Sequence, residues 1–91
     1  MGVLLLLLAC DPSIGPDARR AVALSTLEDS DGVVSEALLI EDRLVRAGAV
    51  QEWVEANRES LTPSEAKAVC DVLQQPDDFQ CWRLYSSAHL R

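Results

Sequence analysis

The stretch Thr62-Pro63-Ser64-Glu65-Ala66-Lys67-Ala68-Val69-Cys70-Asp71-Val72-Leu73-Gln74-Gln75-Pro76-Asp77-Asp78-Phe79-Gln80-Cys81-Trp82-Arg83-Leu84-Tyr85 decides the fold. Its first four residues form a capping box. The Thr62 hydroxyl is placed to accept an amide hydrogen from the first turn, Glu65 to accept from the amide of Thr62, and Pro63 fits the first helical position. Ala66, Val69, Cys70 and Leu73 then recur at the three-and-four spacing of one helical face until Gln75-Pro76 stops the run. Asp77 and Asp78 suit the positive end of a new helix, and Cys81, Trp82, Tyr85 and Ala88 give that helix an inward stripe towards the C-terminus. Cys70 and Cys81 lie five residues on either side of the Gln75-Pro76 turn. An antiparallel hairpin of these two helices would bring both thiols to one height on facing apolar stripes.

Upstream of Thr62 the pattern stays helical, with no alternation of apolar and polar residues long enough for a strand. Pro16 opens a first helix whose weak apolar face is Ala18, Ala21, Val22 and Leu24 or Leu27, running to about Asp29. Asp31-Gly32 reads as a break. A second helix is expected over Val33 to Ala47, with Val34, Ala37, Leu38, Leu44 and Val45 inward and Gly48 as its C-terminal stop. A third, from about Ala49 to Ser60, buries Val50, Trp53 and Val54. The expected fold is all-α, a small bundle of four or five short helices with the last two as an antiparallel hairpin. Trp53, Phe79, Trp82 and Tyr85 are expected in the core, because a domain this small buries only around 60% of its surface and needs large side chains to do so. An exposed Trp53 would instead mark a docking patch.

Ninety-one residues, 48% apolar and 25% charged, make one small domain. Fifteen acidic against eight basic residues give a net charge of −7. That charge repels phosphate backbones and argues against nucleic acid as a partner.

The first ten residues, Met1-Gly2-Val3-Leu4-Leu5-Leu6-Leu7-Leu8-Ala9-Cys10, are uninterruptedly apolar and stop at Asp11-Pro12. Such a run is too short to span a bilayer, which needs roughly 20 apolar residues, and has the length of the core of a cleavable export signal. Leu7-Leu8-Ala9-Cys10 resembles the lipobox of bacterial lipoproteins. The resemblance implies that residues 1–9 are cleaved away and that Cys10 becomes the first residue, its thiol carrying a diacylglyceryl group. A thiol is readily alkylated, and each buried methylene adds about 0.8 kcal/mol of membrane affinity. By analogy with enteric lipoproteins, Asp11 would favour retention in the inner membrane. Gly2 is a poor myristoylation site, since that motif wants Ser or Thr where this chain has Leu6. The implied organisation is a signal over residues 1–9, a lipidated cysteine and Pro/Gly-rich linker over 10–16, and a helical domain over 17–91. Its expected partners are membrane lipid, through acylated Cys10, and a second protein of the cell envelope. The competing expectation is a cytosolic adaptor or regulator in which Val3 to Ala9 packs as an ordinary core segment.

With Cys10 committed to lipid, an even pair of cysteines remains in an exported chain, and a Cys70–Cys81 bridge is expected, contributing roughly 2–3 kcal/mol. In a cytosolic chain the same two residues would be reduced, small apolar side chains. A zinc site is not expected, because His89 is the only histidine and no CxxC spacing occurs. His89 lacks a nucleophile spaced to use it, so no catalytic residue is nominated and no cofactor is expected. Glu36, Glu41, Asp42, Glu52, Glu55 and Glu59 read as solvated helix faces. The segment from Leu27 resembles part of a calcium-binding EF-hand loop through Asp29, Asp31 and Gly32. It has Leu27 and Leu38 where the first ligand and the bidentate glutamate belong, so an acidic turn is expected instead.

Overall fold

The computed structural model describes residues 15–89, so the expectations for the signal, for Cys10 and for the linker as far as Ile14 lie outside the described residues. Five helices follow in order: α1 (Pro16–Ser25), α2 (Ser30–Leu39), α3 (Arg43–Asn57), α4 (Pro63–Cys70) and α5 (Asp77–His89). The fold is all-α, a small helical bundle, and no strand occurs among the described residues. The longest helix, α3, packs against all four others. It can do so because Ala47, Val50, Trp53 and Val54 supply a buried stripe along its length. Around that stripe lie Leu24 of α1, Val33 and Ala37 of α2, Ala66, Val69 and Cys70 of α4, and Cys81 and Tyr85 of α5.

Aspartates, rather than glycines, divide the first half of the chain into helices. Asp29 caps α2, its side chain accepting the amide hydrogen of Gly32 at 2.9 Å. Asp31 and Gly32, expected to break a helix, therefore sit in the first turn of one. The second expected helix is also corrected: α2 ends at Leu39, Ile40 turns into the core, and Asp42 starts α3 by accepting from the amides of Leu44 and Val45. A side-chain acceptor aimed at free first-turn amides fixes a helix start more firmly than a glycine fixes an end. Gly48 is an interior residue of α3; an added Cβ would meet no atom within 4 Å, so its backbone has no need of glycine. With the boundary moved, the buried residues of α2 are Val33 and Ala37, and Ile40 follows them into the core from the extended position after the helix. Leu38 and Leu44, expected inside, are exposed, and so is Val22.

The second half follows the expected reading more closely. Thr62 and Glu65 make both hydrogen bonds of the capping box, at 3.2 and 2.9 Å, ahead of Pro63. Trp53 donates its indole N–H to the carbonyl of Leu27 at 2.8 Å, and Tyr85 donates its hydroxyl to the carbonyl of Leu61 at 2.9 Å. Each bond lets a large ring enter the core without stranding its polar atom, and ties an interhelical segment to a helix distant in sequence.

Asp17 makes a further polar tie between segments distant in sequence. Its two carboxylate oxygens accept the amide hydrogens of Glu41 at 3.0 Å and Asp42 at 2.9 Å, joining the first turn of α1 to the α2–α3 junction. Those two bonds, followed by the attraction of Arg20 and Arg46, hold the Asp17 carboxyl below its ordinary value of 3.8. Glu65 is held below 4.5 by the Thr62 amide and then by the Thr62 hydroxyl and Ser30. Both groups bind a proton less readily folded than unfolded, so their stabilisation is complete above the unfolded values and is lost as pH falls through the lower folded ones. Thermal unfolding followed by circular dichroism is expected to show the melting temperature dropping below about pH 4.5. Asp17→Asn, which keeps one good acceptor of two, is expected to melt lower at pH 7 and to show a shallower acid decline. An unchanged acid profile in that variant would remove Asp17 from the account.

Candidate docking groove

Cys70 ends α4 and Cys81 lies in the second turn of α5, each on the buried stripe of its helix. Their Cα atoms are 5.6 Å apart and their sulfurs are at bonding distance, 2.06 Å. The turn between them, with a cis Gln75–Pro76 peptide bond, returns the chain so that α4 and α5 pack on one another. Asp77 at the head of α5 pairs with Arg43 at 3.0 Å, and Arg43 also donates to the carbonyl of Gln75 at 2.9 Å. This turn is thereby fastened to the start of α3.

Outside the cysteine pair, α4 and α5 leave an open groove of about 600 Å³. Cys70, Pro76, Phe79 and Trp82 supply its apolar surface, and Lys67, Asp71 and Asp78 its charged lining. Trp82 is half-buried and leans on Tyr85, ring centres 5.5 Å apart and planes tilted by 37°, so its position is set from the core side. Phe79 departs from the expectation of a core aromatic: it is 62% exposed. The reason is register. Cys81 and Tyr85 are four apart and define the buried face of α5, and Phe79 lies two residues before Cys81, about 200° away around the helix. Trp53, the residue whose exposure would have marked a docking patch, is instead 3% exposed and central to the core.

The groove carries no arrangement of nucleophile and base. Lys67 is paired with Asp71 at 3.1 Å, an exposed pair at the C-terminal end of α4. Asp29, the acidic residue best placed in the EF-hand-like segment, is engaged as a helix cap. No cluster of three or more His, Cys, Asp or Glu side chains is placed to hold a metal ion among the described residues. No helix among them is long and apolar enough to cross a membrane. What the groove offers is apolar contact area flanked by carboxylates. No protein-family model, curated protein or solved structure matches the chain.

Proposed function

We propose that the chain is a lipid-anchored protein of the bacterial cell envelope, acylated on Cys10 after removal of residues 1–9, whose acidic helical body docks another protein. The Cys70–Cys81 pair carries this reading furthest. The two cysteines face one another on a buried seam with Cα atoms 5.6 Å apart, a placement that suits a bridge, and bridges persist in compartments outside the reducing cytosol. The lipobox-like Leu7-Leu8-Ala9-Cys10 supports the same address, and the exposed aromatic in the α4–α5 groove supports a docking role over a catalytic one.

Metabolic labelling with a palmitate analogue tests the anchor. Wild-type protein is expected to take up label and to sediment with membranes, and Cys10→Ser to lose both properties and keep its signal. Unlabelled wild-type protein in the soluble fraction, still carrying Met1, would refute the proposal.

A further inference from the structure

We infer that the α4–α5 groove receives a cationic segment with large apolar side chains, presented by a different protein; this rests on the docking role proposed above. The first observation is Phe79, 62% exposed beside the half-buried Trp82, in a concave surface of about 600 Å³. A large aromatic held in water at the edge of an apolar groove is the kind of surface that a partner's side chain covers.

The second observation is the disposition of charge. Asp71 and Asp78 line the groove, and its single cation, Lys67, is already engaged by Asp71. Arg43 joins the head of α5 to the α2–α3 junction, where Glu41 and Asp42 are exposed. Two guanidinium groups in this region are satisfied from within, Arg43 by Asp77 and the carbonyl of Gln75 and Arg46 by the carbonyl of Ile40, while Arg20 lies near Asp17. Glu41, exposed at the junction, lies near the exposed Leu44 in the chain, and within the groove lining two carboxylates stand against one ammonium.

Three other occupants fit this surface less well. A second copy brings another −7 charge to the same acidic face, and nucleic acid and anionic lipid are repelled in the same way. A segment with Arg or Lys flanking Leu or an aromatic residue matches both features. Its apolar side chains cover Phe79 and Trp82, its cations meet the net negative lining of Asp71 and Asp78 against Lys67, and a guanidinium laid on the Phe79 ring adds a cation–π contact.

The test uses the full chain with Cys10→Ser, isotope-labelled for NMR and titrated with an amphipathic helical peptide built of Leu and Arg. A second peptide with every Arg replaced by Glu is the control. The Leu/Arg peptide is expected to shift the amides of Asp71 to Trp82 and the Trp82 indole N–H saturably, more weakly at high salt. Phe79→Ser and Asp71→Lys, both at exposed positions that leave the core intact, are each expected to weaken binding by about tenfold. Variants that bind as tightly as the parent overturn the inference. So does a dimer in sedimentation that Phe79→Ser dissolves, or shifts produced equally by phosphatidylglycerol vesicles. Binding of the Leu/Glu peptide instead would leave the docking role standing and overturn the partner's charge; silence with both peptides removes both. Acylation is read separately, because Cys10→Ser removes the anchor and leaves the groove.

Discussion

Trp53→Ala leaves the protein largely unfolded at room temperature. Trp53 is 3% exposed, on the helix that packs against the four others among the described residues, and its truncation opens a cavity costing about 3–5 kcal/mol. The same change leaves the carbonyl of Leu27 without the indole N–H that reaches it at 2.8 Å. Small domains are stable by only about 5–15 kcal/mol in all, and one of this size belongs near the lower end. Urea titration followed by far-ultraviolet circular dichroism checks the expectation. Trp53→Phe separates the two contributions: it retains most of the volume and loses the hydrogen bond, and is expected to cost about 1–3 kcal/mol. A midpoint for Trp53→Ala close to that of wild type would mean that α3 is not the organising helix.

The second large effect is expected from the cysteine pair. Cys70 and Cys81 are 11 positions apart in the chain. Closing a loop of that length stabilises a fold by about 3 kcal/mol in the chain-entropy account. For a domain of this size that corresponds to a fall in melting temperature of about 10 °C or more when both are replaced by alanine or the bridge is reduced. Both residues are buried, so wild-type protein is expected to react with thiol reagents only after denaturation and reduction. Mass spectrometry under non-reducing and reducing conditions reports the bridge directly, as a gain of two hydrogens. Free thiols at both positions in exported material would remove this stabilisation and weaken the proposed location with it.

The second half of the chain was far more legible than the first, because its signals are local. A capping box, a proline in the first turn and two cysteines flanking a Gln-Pro turn act over a few residues, and each lies where its spacing places it. In the first half, aspartates competed with glycines. Asp42 overrides Gly48 because a carboxylate that satisfies two first-turn amides sets a helix start, whereas a glycine with open space around it tolerates a helix interior. A helix end placed eight residues too late then assigned Leu38 and Leu44 to the wrong face. The ties that Asp17, Trp53 and Tyr85 make across 24 to 26 residues have no sequence signature, since any backbone group the fold delivers can serve as partner. The groove was half legible. The placement of Cys70 beside Cys81 follows from spacing, but the exposure of Phe79 does not, because an aromatic count says how much ring a small fold needs and not which way each ring points.

Asp17 has a mechanical consequence. It sits in the first turn of α1, and its carboxylate holds the α2–α3 junction, while α1 also packs against α3. Tension applied at Gly15 does not peel the bundle open one turn at a time. The load passes through the two Asp17 bonds into the α2–α3 junction, in the middle of the chain, as well as into the contact of α1 with α3.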